Sequence, residues 1–190
     1  MIDSLSIIWN RADAKEPLYS GDEIRPGGDA AVENLIRSGV ITQASNAASV
    51  VCDACDTGHF EEVTFVESPA RTGARGYIHC AQEGRVRVPA HRLKQWVVDF
   101  RAIGKAVASD LELAGAAEDI TPGRIWFLGK GSFAGRSREI FLARGLTWHD
   151  APGIVGAAAR LQASSTAVVL VAGGIPAAGI WQGDMPRVIS

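Results

Sequence analysis

The sequence predicts a mixed α/β protein, a helical N-terminal part running into a β-hairpin and then a small mixed-sheet lobe. Three observations carry this reading. Apolar residues recur at helical spacing in AAVENLIRSG (30–39), where Val32, Leu35 and Ile36 share a face. Strand-like runs, FEEVTFVE (60–67) and YIHC followed by GRVRV (77–88), flank the polar, glycine-bearing turn SPARTGARG. The β-branched run AVVLVAGG (167–174) is short enough to be a buried strand. A chain of 190 residues, 47% hydrophobic and 21% charged, suits one good core or two small lobes and argues against disorder.

Taken in order, SLSIIWN (4–10) reads as a short helix with Leu5, Ile8 and Trp9 on one face, and EPLYSGDEIRPGGD (16–29) reads as turns. Asp29 caps the helix that Gly39 stops. VITQASNAASVVC (40–52) reads as extended. Pro89 opens a long helix, AHRLKQWVVDFRAIGKAVASDLELAG (90–115), striped by Leu93, Trp96, Val97, Phe100, Ile103 and Val107. RIWFLGKG and REIFLARGL are strands joined by SFAGRS; Asp150 caps APGIVGAAARLQ; PRVIS is one more strand. Two domains are expected, 1–88 and 89–190, the second holding the long helix and the α/β lobe.

The thiols carry the sharpest chemistry. Cys52 and Cys55 stand in C-x-x-C spacing, His59 follows, and Cys80 returns after two strand candidates. Zinc takes about four soft or borderline ligands in tetrahedral array, and C-x-x-C supplies two from one turn. This arrangement resembles a zinc ribbon, a hairpin with one knuckle at its start and another where the chain returns. The resemblance implies structural Zn2+ held by Cys52, Cys55, Cys80 and a fourth ligand. In this chain Glu83 stands where the ribbon pattern places its fourth cysteine. His59 completes a Cys3His set; Glu83 and His91 are alternatives. His79 adjoins Cys80 on a strand and points the other way. A redox pair or simple core cysteines are the competing readings. Upstream, helix, turn, helix and then L-I-x-x-G-V-I entering a strand resembles the end of a winged-helix unit.

Charge supplies the partner expectations. Residues 1–68 hold four Lys/Arg against twelve Asp/Glu, whereas residues 69–105 hold eight Lys/Arg against Glu83 and Asp99. The basic set Arg71, Arg75, Arg85, Arg87, Arg92 and Lys94 falls on the zinc hairpin and just after it, which predicts salt-dependent contact with nucleic-acid phosphates. Trp96 and Trp126 read as core. The expected function is a non-catalytic, zinc-stabilised binding or regulatory protein. The alternatives are a protein–protein adaptor using the acidic N-terminal third, and an enzyme with a site around His149, Asp150 or the 129–136 loop. No apolar run reaches the roughly 18 residues of a membrane span, and an odd cysteine count suits a reducing cytoplasm. The N-terminus lacks the basic region of a signal peptide, and an end directly after a strand-like run suits a piece of a longer protein.

Overall fold

A computed structural model describes residues 8–9, 11–24, 26, 28–67, 74–133 and 135–190. The expected helix 4–10 lies outside the described residues except for Ile8 and Trp9, which are helical. The fold class is mixed α/β, as the sequence predicts. The chain divides into two compact units. The first holds 18–37 and 41–97; the second holds 8–17, 38–40 and 98–190.

In the first unit, strand β1 (Leu18–Ser20) leads into a one-turn helix, α1 (Gly21–Ile24). Ser20 and Glu23 form a reciprocal capping box. The Glu23 carboxylate accepts from the Ser20 N–H at 2.8 Å, and the Glu23 N–H donates to Ser20 Oγ at 3.4 Å. Helix α2 (Asp29–Arg37) and strand β2 (Ile41–Gln43) follow. Strand β3 (Ser49–Val51) pairs antiparallel with β4 (Phe60–Glu62). Strands β5 (Thr64–Val66), β6 (Arg75–Cys80) and β7 (Gly84–Arg87) form an antiparallel sheet in that order. Helix α3 (Ala90–Leu93) and strand β8 (Gln95–Val98) close the unit, with β8 between β1 and β2.

The long helix expected over 90–115 is therefore not continuous. Lys94 is extended (φ −66°, ψ 137°), and a strand separates α3 from helix α4 (Phe100–Asp110). The physical reason is local. Gln95-Trp96-Val97-Val98 is aromatic and β-branched, residues that fit a pleated surface better than a helix. Asp99 then caps α4, its carboxylate accepting from the N–H groups of Arg101 and Ala102 at 2.8 and 3.1 Å. Trp96 is buried, as expected, but from a strand.

Tyr19, Ile24, Leu35, Ile41 and Trp96 are buried in the first unit. Ala47, Val50, Ile78, Val88 and Leu93 pack with the buried Cys52 and Cys80. Gly76 is required there, because a Cβ would lie 2.8 Å from both Leu93 and Val63 side-chain carbons.

The second unit is built on a five-stranded sheet in the order β13-β12-β11-β10-β9. Strand β9 (Glu118–Thr121) pairs antiparallel with β10 (Ile125–Phe133), which pairs antiparallel with β11 (Arg136–Ala143). Helices α5 (Ala151–Ala157) and α6 (Ala159–Ala163) then cross to β12 (Ala167–Val171), parallel to β11, and β13 (Arg187–Ile189) adds a further parallel edge. One sheet face, including Ile125, Phe127, Phe141 and Val169, packs on Val155, Ala158 and Leu161. On the other face Phe100 of α4 stacks on Trp126 at 5.7 Å, which places Trp126 in the core as expected. Asp150 precedes α5 but makes no side-chain cap; its carboxylate pairs instead with Arg124 at 2.7 Å. No helix among the described residues is long and apolar enough to cross a membrane.

Replacing Asp99 by Ala removes the α4 cap, and urea denaturation is expected to show a loss of about 1 kcal/mol, with Asp99→Asn retaining most of the stability. A stabilising Asp99→Ala would mean that 90–115 is one helix after all, since alanine is the better helix-interior residue.

Candidate metal centre

Two turns and one strand end bring the ligands together. Cys52 directly follows β3, and its N–H donates to the His59 carbonyl at 2.7 Å, closing the 52–59 loop on itself. Gly58 stands in that loop at φ +60°, a conformation glycine adopts without steric cost. Cys80 ends β6 on its buried side, and the Glu83 N–H donates to Cys80 Sγ at 3.4 Å across the turn to β7. The result is a cluster of Cys52, Cys55, His59 and Cys80 whose ligand atoms all lie within 4.8 Å of one another. No disulfide joins the cysteines. The four residues lie close enough to hold a metal ion.

The sulfurs of Cys52 and Cys55 are 3.8 Å apart, and Cys80 Sγ lies 3.7 Å from His59 Nε2. With Nε2 turned to the cluster, Nδ1 is 2.8 Å from the Glu61 carboxylate. A carboxylate only accepts, so Nδ1 carries a proton toward Glu61, and a metal at the cluster would displace the proton on Nε2 and take its lone pair. Such a carboxylate behind a histidine ligand fixes the tautomer and ring orientation.

The surroundings favour the thiolate at two of the three cysteines. The Thr57 hydroxyl, 3.0 Å from Cys55 Sγ, and the Thr57 backbone lower the Cys55 thiol to about 6. The Glu83 and Gln82 backbones lower Cys80, with Glu83 the larger influence. His59 is pushed up to about 9, first by Cys80. Burial raises Cys52. The environment thus favours thiolate at Cys55 and Cys80 but not at Cys52, so capture of a metal would expel the proton Cys52 retains, and proton loss and binding would be one linked event.

Of the alternative ligands, Glu83 contributes its backbone N–H to the site and stands outside the cluster. His91 also stands outside it. His79 is exposed on the side of β6 opposite Cys80, in keeping with strand alternation. Glu61 and Thr57 were not anticipated. His59 and Glu61 are two apart entering a strand, a spacing that puts them on one side and makes Glu61 findable in principle.

The basic residues separate into two groups. Arg75, Arg85 and Arg87 share the outward side of the β6–β7 hairpin, where Tyr77 pairs with Arg87 and His79 with Arg85. The Arg85 guanidinium lies 4.0 Å from the centre of the Tyr77 ring. Arg92 is different. It is largely buried and bonds to Asp22 at 2.8 Å, Asp53 at 2.6 Å and the Val51 carbonyl at 2.7 Å. Its charge is spent inside the unit. Lys94 is exposed. Arg71 lies outside the described residues.

The 129–136 stretch is a β-hairpin, with Phe133 opposite Arg136, and Lys130 lies 3.4 Å from Glu139. His149 is exposed, and Arg124 holds the Asp150 carboxyl below its ordinary value.

Comparison with known proteins finds no family model, no curated relative and no solved structure that matches the chain.

In metal-free, reduced protein at neutral pH, Cys55 is expected to be alkylated first by iodoacetamide, because it is part-exposed and its thiol is acidified; Cys52 is expected to react last. Peptide mapping by mass spectrometry reads the order, and equal rates at both would contradict these environments.

Proposed function

We propose that this chain is a non-catalytic, zinc-stabilised nucleic-acid-binding protein in which the metal holds a basic, aromatic-bearing hairpin in place. The single observation that carries the reading is that the same two strands serve both ends of it. Inward residues of β6 lead to Cys80, while outward residues of β6 and β7 present Arg75, Tyr77, Arg85 and Arg87.

Zinc is favoured by ligand type and spacing. Bonds of about 2.3 Å to sulfur and 2.0–2.1 Å to nitrogen in a tetrahedron put sulfurs roughly 3.8 Å apart and sulfur and nitrogen roughly 3.6 Å apart. The Cys52–Cys55 sulfurs lie 3.8 Å apart and Cys80 Sγ 3.7 Å from His59 Nε2, and all four ligand atoms lie within 4.8 Å of one another. Three thiolates and one imidazole fill a tetrahedron and leave no position for water, the arrangement of a structural ion rather than a Lewis-acid catalyst. The zinc-ribbon resemblance gains support from the hairpin joining the ligands. The winged-helix resemblance gains support from α2 running into β2, with β2 in one sheet with β8 and β1.

Nucleic acid is favoured as partner because the outward face combines cations for phosphates with a ring on which a base can stack, a pairing that suits single strands. Helix α2 carries Asp29 and Glu33 against Arg37, so we assign the contact to the hairpin rather than to this helix.

Elemental analysis is expected to give one zinc per chain, lost in His59→Ala and Cys80→Ser and kept in Glu83→Ala. Fluorescence anisotropy with single-stranded and duplex oligonucleotides is expected to show affinity falling log-linearly with salt, and roughly tenfold or weaker binding in the Arg85→Glu/Arg87→Glu double variant. Binding that ignores salt or survives this reversal would falsify the nucleic-acid reading. A stable zinc-loaded variant that fails only in binding separates the contact from the fold.

A further inference from the structure

The second unit carries a surface that the proposed metal and nucleic-acid chemistry leaves unused. Parallel strands are normally covered on both faces. Here β12 is apolar on both, and on one of them Leu170 is part-exposed beside the exposed Ile189 of β13. Helix α4 covers the other face over Trp126, Leu128 and Leu142, where Gly104 permits close approach: a Cβ there would lie 2.9 Å from Leu128. The helix ends at Asp110. Beyond it lies an open groove of about 610 Å3. That volume falls within the roughly 300–1,000 Å3 of small-molecule sites.

Strand register sorts the lining. Ile140 of β11 pairs with Val168 of β12, which pairs with Arg187 of β13; Leu170 pairs with Ile189. Residues two apart share a face, so Arg136 and Arg138 precede Ile140 on β11 as Arg187 precedes Ile189 on β13. The three strands run parallel. All three guanidiniums therefore belong to the end where these strands begin, and the apolar side chains continue along the groove beyond them. No acidic side chain lines it, and none of the described carboxylates pairs with Arg136, Arg138 or Arg187. By contrast, Arg124 and Arg160 of the same unit are both ion-paired.

A bulge completes the wall. Register shifts between Phe127 and Gly129 on β10, which turns Gly129, Gly131 and Phe133 toward the face of Ile140. Phe133 is thereby exposed at the groove, together with Leu111 just past α4.

We propose that this groove binds a small amphipathic anion. A carboxylate or phosphate head meets Arg136, Arg138 and Arg187, and an alkyl or aryl body packs on Leu170 and Ile189 above the buried Ile140 and Val168. Charge complementarity selects the head, and the apolar floor selects the body.

Isothermal titration calorimetry of the zinc-loaded full chain tests this with decanoate and decyl phosphate, each below its micellar concentration. Decyltrimethylammonium and inorganic phosphate are the controls. Saturable one-to-one binding of at least one decyl anion is expected, and the preferred head distinguishes carboxylate from phosphate as the natural chemistry. Neither control should match it. Arg138→Glu/Arg187→Glu should weaken binding by roughly tenfold or more, the scale of one lost charge-assisted hydrogen bond. Leu170→Asp should weaken it comparably. Thermal melts identify any variant that fails to fold; the exposed Arg187→Glu single change then serves as the test. The proposal is overturned if neither decyl anion saturates, if the cationic detergent binds as well, or if folded charge-reversed protein binds unchanged. It is equally overturned if the chain self-associates with β12 and β13 protected from hydrogen exchange, since a second copy would then cover this face.

Discussion

The tightest constraint in the first unit is the convergence of three sulfurs and one imidazole nitrogen within 4.8 Å. Its strands are short, mostly three or four residues, and they belong to two- and three-stranded sheets. Such sheets are marginal by themselves. In one apolar cluster beneath them two of the buried members are the candidate ligands Cys52 and Cys80. Uncompensated thiolates would be costly in that cluster. A bound cation turns the same groups into cross-links between the 52–59 loop and the end of β6. Hydrogen bonds surround the same four residues. The Glu83 N–H faces Cys80, Thr57 faces Cys55, and Glu61 steadies the His59 ring.

Charge in this unit is partitioned by burial. The acidic first third and the basic middle allow two readings, mutual attraction or separate surfaces, and each applies to different residues. Arg92 embodies the first. Its guanidinium joins Asp22, Asp53 and the Val51 carbonyl, so it ties α3 to α1 and to the chain entering the ligand loop. Removing Arg92 would leave acids and a carbonyl without their donor, an effect on stability rather than on recognition. Arg85 and Arg87 embody the second, because strand alternation turns both to solvent while Val86 between them packs inward. One basic segment thus supplies a structural cation and an exposed face.

The convergence of Cys52, Cys55, His59 and Cys80 was legible in the sequence because its signal is local: C-x-x-C, a nearby histidine, and a thiol returning on a recognisable hairpin. The hairpins β6–β7 and β10–β11 were legible for the same reason: GRVRV alternates at period two, and the strand-like runs RIWFLGKG and REIFLARGL flank the turn residues SFAGRS. The long helix over 90–115 was misread because Leu93, Trp96, Val97, Phe100, Ile103 and Val107 satisfy helical spacing whether or not the backbone is helical. Each of these apolar residues through Ile103 except Val97 is indeed buried, but from three separate elements. The arbiter was present at Asp99, an N-cap residue in the middle of the run. Ser20-Gly21-Asp22-Glu23 likewise spells a capping box inside a stretch read as turns. Strand order was beyond the sequence: that β8 lies between β1 and β2 depends on pairings between residues far apart in the chain.

The bulge in β10 shows how a single backbone irregularity sets what the second unit can present. Up to Phe127, odd-numbered residues of β10 face the helices α5 and α6, and Trp126 faces α4. Without the shift at 127–129, residues 129, 131 and 133 would continue on the helix-covered side. With it, they change sides. Gly129 sits at φ +144°, and a Cβ there would lie 2.8 Å from Leu113, so a side chain is disfavoured by conformation and by space. A Cβ on Gly131 would likewise meet the Phe133 ring at 2.7 Å. The two glycines therefore let the segment after α4 lie close over β10, where Ala114 and Lys130 exchange backbone hydrogen bonds, each 2.8 Å. That segment forms one wall, and Phe133 is aimed at the space beside it. The glycine-and-cation stretch 129–136 thus has a structural explanation: its glycines bend and thin a strand, and one of its cations, Arg136, belongs to the groove that this strand borders.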